Sequence, residues 1–185
     1  MKQLSIRFCG FGGQGIVLSS VVFGTALVTK AGLYAVQTQS YGSEARGGQC
    51  QAELVIWDKP LNSPHVAMKD ILVAMSQTAL DRYLPSLKED GVLIIDPGLV
   101  TDTHDTKARV FKVPATETAQ ALGSRICANM VILGFLQAAT NMMSKDDLAE
   151  VVKESVPARF VDLNLRALEA GREIAKGVNL EVMES

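Results

Sequence analysis

Gly10, Gly12 and Gly15 stand at the spacing G-x-G-x-x-G within Gly10-Phe11-Gly12-Gly13-Gln14-Gly15, between a strand-like run, Leu4 to Cys9, and a helix-like run, Ile16 to Thr29. Residues without side chains at such a corner let a ligand or a neighbouring chain approach bare main chain. The amide groups at the helix start then point at whatever arrives. Gln14 adds a long amide that can donate and accept at once, toward a ligand or its own loop. A second loop follows about thirty residues on: Ser40-Tyr41-Gly42-Ser43-Glu44-Ala45-Arg46-Gly47-Gly48. Its glycines, Gly42, Gly47 and Gly48, confer freedom. Glu44 and Arg46 supply opposite charges, either as a local ion pair or, through Arg46, as a contact for phosphate or carboxylate.

A dinucleotide fingerprint needs an acid at the end of the following strand to hold a ribose hydroxyl. Here that stretch reads Val36-Gln37-Thr38-Gln39-Ser40 and has none. What remains is an array of amide donors for an anion or a neighbouring chain's carbonyl oxygens. Ligands of open α/β sheets collect beyond the carboxyl ends of the strands, so both loops are expected on one rim, as neighbours. The candidate binding residues are Gly10, Gly12, Gly13, Gln14, Gly15, Tyr41, Gly42, Glu44, Arg46, Gly47 and Gly48, with no catalytic or metal-ligating residue among them.

The elements that must carry these loops follow β-α-β order, which implies an α/β fold: a single Rossmann-like, doubly wound domain with a mostly parallel sheet and helices on both faces. Strands are expected at Leu4–Cys9, Tyr34–Ser40, Gln49–Asp58, Ile71–Met75, Val92–Asp96 and Arg109–Val113. Asp90-Gly91 reads as a turn. Helices are expected from Ser76, as N-cap, to Leu87, over Ala115–Leu122 and Ile126–Ala139, from Ser144 to Glu154 and over Arg159–Lys176. Ser144-Lys145-Asp146-Asp147 has the form of a capping box. The Ile126–Ala139 helix is apolar almost all round, so it is buried on several sides, in the chain's own core or against another subunit that Gly134 lets in close. The domain is expected to span 1–178, with 179–185 a frayed tail or an arm onto a partner.

Of 185 residues 48% are hydrophobic and only 5% aromatic, which fits an aliphatic core under helices. A net charge of −2 provides no field for nucleic acid or anionic lipid. Residues 2 to 9 lack a signal peptide's apolar region and no apolar run is long enough to span a membrane, so a cytoplasmic location is expected. Cys9, Cys50 and Cys127 are scattered among apolar residues and read as buried free thiols. His65 and His104 lie in loop-like contexts without triad partners nearby in sequence.

The two loops together, Gly10 to Gly15 and Ala35 to Gly48, resemble the gamma subunit of the 2-oxoacid:ferredoxin oxidoreductases. Asn129-Met130-Val131 with Leu133-Gly134 is similar to that family's later helix motif, and the Gln-Thr-Gln-Ser-Tyr-Gly form of the second loop looks most like the 2-oxoglutarate enzymes. Ser43 stands where many members have proline. The resemblance implies a multi-subunit enzyme that decarboxylates a 2-oxoacid on thiamine diphosphate, reduces ferredoxin or a similar acceptor and delivers the acyl group to coenzyme A. Thiamine diphosphate with Mg and the iron-sulfur clusters are expected in partner alpha, beta and ferredoxin-like delta subunits. This chain's implied part is assembly and the seating of coenzyme A. Two other readings are a free-standing nucleotide-binding regulatory module and a scaffold subunit without a ligand.

Overall fold

The computed structural model describes residues 1–42, 48–63 and 65–181. Strand β1 (Leu4–Phe11) runs into the glycine turn, α1 (Ile16–Thr29) leaves it, and β2 (Tyr34–Tyr41) follows. Then come β3 (Gln49–Trp57), β4 (Lys69–Ala74), α2 (Gln77–Tyr83), β5 (Leu87–Ile95) and β6 (Arg109–Lys112). Helices α3 (Ala115–Ala121), α4 (Ala128–Thr140), α5 (Lys145–Ser155) and α6 (Val161–Ile174) complete the fold.

The six strands form one sheet in the order β2-β3-β1-β4-β5-β6. Pairings β1–β4, β4–β5 and β5–β6 are parallel, while β3 is antiparallel to both its neighbours. The α/β expectation holds with this qualification: one reversed strand lies where a doubly wound sheet would set β2 beside β1. Because β3 starts at the carboxyl ends of β1 and β2, Gln49 pairs with Phe11 and Cys50 with Tyr41.

Helices lie on both faces, but unequally. The larger core packs α1, α3, α4, α5 and α6 against one face, and α2 covers the other with Leu72, Ala74, Leu93 and Ile95 beneath it. On the α2 side, buried Lys69 donates to Glu53 Oε2 (2.6 Å), and Arg7 clasps Glu53 Oε1 from β1. The carboxylate is held between two cations that would otherwise be buried unpaired.

Local chemistry sets the boundaries. Ser76 caps α2, accepting from the Ala79 N–H (3.2 Å). That helix stops at Tyr83, short of the expected Leu87, because Pro85 belongs to a 3-10 turn over Leu84–Ser86. Asp90-Gly91 does not turn the chain: both residues lie inside β5, where the β4–β5 register shifts between Lys69 and Ile71. A Cβ on Gly91 would stand 2.9 Å from the Lys88 carbonyl oxygen and 3.0 Å from that of Asp70, so the glycine admits a strand irregularity. The capping box at Ser144 and Asp147 forms as expected.

Helix α4 is buried around its circumference by its own chain. Gly134 abuts the Leu168 carbonyl and Gly171 the Val131 carbonyl, so α4 and α6 meet backbone to backbone. The close approach anticipated at Gly134 is intramolecular. The C-terminal segment is not a loose arm over Asn179–Glu181: Leu180 is buried, donates to the Ala139 carbonyl (2.8 Å) and accepts from Arg109 (3.3 Å). Residues 182–185 lie outside the described ones.

Candidate functional site

The glycine turn is built by backbone geometry that only glycine adopts without strain. Gly13 has φ 91° and Gly15 φ 73°, and Gly15 is the N-cap of α1. A Cβ at Gly15 would collide with the Asn129 amide, and one at Gly10 with Gln14 and Ile16. Gln14 faces inward. Its Oε1 accepts from the Phe11 N–H (2.6 Å) and its Nε2 donates to the Met75 carbonyl (2.7 Å), bracing the turn against the end of β4. Both ends of the amide offered as a ligand contact are therefore engaged by main chain.

The two loops are neighbours, as expected. Gly12 N–H donates to the Gly48 carbonyl (3.1 Å), and Gly42 N–H donates to that of Gln49 (2.6 Å). Tyr41 projects at the same rim, 62% exposed. Glu44, Arg46 and Gly47 lie outside the described residues.

Beside the turn opens a cavity of about 490 Å³, reached by the first turns of both α1 and α4. No side chain caps the start of α1, whereas α4 is entered through the 3-10 turn Arg125–Cys127, which Ser124 caps by accepting from the Ile126 N–H (3.4 Å). Two helix N-termini, each carrying partial positive charge, thus approach one space. Asn129 couples them, its Nδ2 lying 3.5 Å from the Gly15 carbonyl oxygen. Among the described residues no charged side chain lines the cavity; its walls include Ile16, Val17, Met130, Val156 and Leu163. At its mouth Ile126 is 78% exposed. The arrangement suits a largely neutral, partly apolar body with an anionic group at the helix starts.

Arg125 lines a smaller cleft of about 190 Å³ on which Gly13 and Gln14 also border, placing an exposed cation beside the turn. Sequence reasoning missed Arg125 and the cavity walls from α4 and α6, and named Asn129 as part of a helix motif without placing it at the turn. Asn129 had a signal, an amide at the head of a helix whose next seven residues carry no polar side chain. Arg125 had none, since the 3-10 turn over Arg125–Cys127 that presents it replaces the expected first helical residues.

Cys50 and Cys127 also line the cavity, and all three cysteines are free and buried. Burial pushes their thiols up, Cys9 to about 12, so none is a ready thiolate nucleophile. His104 lies far from the turn in sequence, its Nε2 2.8 Å from Asp81 Oδ1.

The family model for pyruvate ferredoxin/flavodoxin oxidoreductase matches residues 5–174. The chain belongs to this family. It is 47% identical over 176 residues to 2-oxoglutarate synthase subunit KorC of Methanothermobacter thermautotrophicus, covering 91% of this chain and 93% of that relative. The gamma subunit of a keto/oxoacid ferredoxin oxidoreductase from Geobacter sulfurreducens superposes with a TM-score of 0.83 at 39% identity, covering 95% of this chain and 99% of that one. A 2-oxoglutarate:ferredoxin oxidoreductase from Magnetococcus marinus, with 2-oxoglutarate, coenzyme A and succinyl-CoA bound, superposes with a TM-score of 0.86 at 25% identity. This chain matches only 32% of that polypeptide, over 97% of its own length. The resemblance carried by the two loops thus holds for the family and its gamma-type member. Among the described residues, no helix of this oxidoreductase-family chain is long and apolar enough to cross a membrane.

Proposed function

We propose that the chain is the gamma-type subunit of a 2-oxoglutarate:ferredoxin oxidoreductase, and that the rim of the glycine turn seats part of coenzyme A. The observation that carries the second part is the convergence of two helix starts, that of α1 without a side-chain cap, on a cavity whose described lining is uncharged. The diphosphate suits the Gly13 and Gly15 amides at the start of α1, the Gly12 and Gln14 N–H groups being taken by the Gly48 and Phe11 carbonyls, with Arg125 and Arg46 as cations for its charge. The uncharged portions of the molecule suit the apolar walls. Coenzyme A supplies the thiol that takes the acyl group. This chain's residues bind and orient it, while thiamine diphosphate, Mg and the iron-sulfur clusters belong to alpha, beta and ferredoxin-like delta partners.

Isothermal titration of the assembled enzyme with coenzyme A tests the reading. Arg125→Ala and Arg46→Ala are each expected to weaken binding by about 10- to 150-fold, the worth of a charge-assisted hydrogen bond. Unchanged affinity in both would make the rim a docking surface, a second reading favoured by the exposed Ile126 and Tyr41 at its mouth. Turnover by the same preparation with 2-oxoglutarate, pyruvate and branched-chain 2-oxoacids identifies the acid.

A further inference from the structure

Helix α1 and strand β2 together contain no charged residue: Ile16-Val-Leu-Ser-Ser-Val-Val-Phe-Gly-Thr-Ala-Leu-Val-Thr29 and Tyr34-Ala-Val-Gln-Thr-Gln-Ser-Tyr41. Eight residues of α1 are buried, but at 21% charged residues the remaining positions of helix and strand would carry about three. Yet much of this surface faces solvent. Val21 and Val28 are exposed on the outer side of α1, and no residue of β2 is fully buried. Between helix and strand runs a groove of about 360 Å³, walled by Ser20, Gly24, Thr25, Ala35 and Gln37.

Strand β2 is also an open sheet edge, paired only with β3 among the described residues. Natural edges are blunted by charge, proline, bulges or shortness. The opposite edge obeys that rule: β6 has four residues, two of them Arg109 and Lys112, and Arg109 is tied to the Leu180 carbonyl. By contrast β2 is eight residues long, uncharged, free of proline and in unbroken register with β3 from Tyr34 to Tyr41.

We infer that this face is the contact between two copies of this chain, related by a two-fold axis perpendicular to the sheet. The occupant must be free of charge, present an open strand edge and carry an apolar helix on the same side of that strand. This face itself meets all three conditions. Antiparallel pairing of β2 with its two-fold mate keeps like faces together, so each α1 flanks the other and the exposed valines of one copy meet the groove of the other. No like charges oppose one another. An eight-residue strand is ~27 Å long and a helix layer on a sheet ~20 Å deep, giving a projected face of ~500 Å² per copy; two such faces reach the ~1,000 Å² that specific association needs. The inference does not depend on what the cavity at the glycine turn holds.

Native mass spectrometry and light scattering on the 185-residue chain between about 1 and 100 µM test it. The unaltered chain is expected to be dimeric. The double variant Val21→Glu/Val28→Glu is expected to raise the dimer Kd more than about 30-fold while leaving the urea midpoint of the monomer, compared at concentrations where both chains are dissociated, nearly unchanged, since both side chains are exposed on the single chain. Mixing it with Val21→Lys/Val28→Lys should restore a dimer of the two variants, which only a self-facing contact allows. A chain that is monomeric at 100 µM overturns the proposal, as does a dimer insensitive to the substitutions. So does a monomer whose charged variants instead lose a different subunit of the enzyme, which would assign the face to that subunit. None of these results bears on coenzyme A binding, which the titration reads separately.

Discussion

Gln14 carries the turn by what it touches at both ends, the Phe11 N–H and the Met75 carbonyl, two groups that no other described side chain supplies. Gln14→Ala should therefore lower stability by about 1–2 kcal/mol, less than the full penalty of two orphaned groups because water reaches the Phe11 end, and a urea titration reads the loss. Glu53 makes a sharper case on the other face. Burial pushes its carboxyl up, but hydrogen bonds from Lys69 and Arg7, with their charges, outweigh that and hold it below the ordinary 4.5. A carboxyl depressed on folding contributes stability that is present above its unfolded value and is lost as pH falls through the folded one. Wild-type stability should thus fall below about pH 4.5 more steeply than that of Glu53→Gln. At pH 7 the variant should be less stable by about 3 kcal/mol, having left two cations without their anion. Denaturation midpoints from pH 3 to 7 check both. The glycines of the turn were legible from the sequence by their spacing, and positive φ demands two of them, Gly13 and Gly15; the destination of Gln14 was not, since Met75 lies 61 positions away. Asn129 was visible at the head of its helix, but its partner Gly15 is 114 positions distant.

Among the elements, α4 was readable as a buried helix from composition alone, yet nothing in its own residues says what buries it. Gly134 opens one side and Gly171, more than thirty positions later, opens the matching side of α6, so the close approach is a property of the pair. A methyl group at Gly171 would enter the space of the Val131 carbonyl and lie 2.8 Å from the Phe135 nitrogen. Neither is the end of a flexible side chain that can swing aside. Gly171→Ala should force the two helices apart and lower stability by about 3 kcal/mol or more, read from the shift in urea midpoint. A smaller change, Ser155→Ala on the rim of α5, removes a hydroxyl that bonds only the Val151 carbonyl of its own helix and serves as the control. Strand β5 shows the opposite limit: Asp90-Gly91 carries a turn's composition, but β4 beside it, with Asp70 at the point of closest approach, keeps the chain extended. Local preference yields there to tertiary pairing.

At the scale of the molecule, alternation of strand and helix made the α/β class legible, and the reversed β3 was not, because the period of side chains along a strand is the same in either direction. That one reversal closes the distance between the two loops and leaves β2 as an open edge. The other edge is closed by the chain's own C-terminal segment. Leu180 is buried beneath α4, where it bonds Ala139, and its carbonyl receives Arg109 from β6, so residues that read as a tail join the last strand to the core. Ending the chain after Val178 removes that side chain, exposes the apolar surface it covers and frees Arg109. The expected loss is about 2–3 kcal/mol, mainly the burial of one leucine. A segment serving only as an arm onto another subunit would behave differently: the shortened chain would then unfold at the same urea concentration as the full one and lose assembly alone. The predicted outcome is a lower midpoint for the isolated shortened chain, with Leu180→Ala accounting for most of the shift and Glu181→Ala for almost none, since Glu181 is exposed.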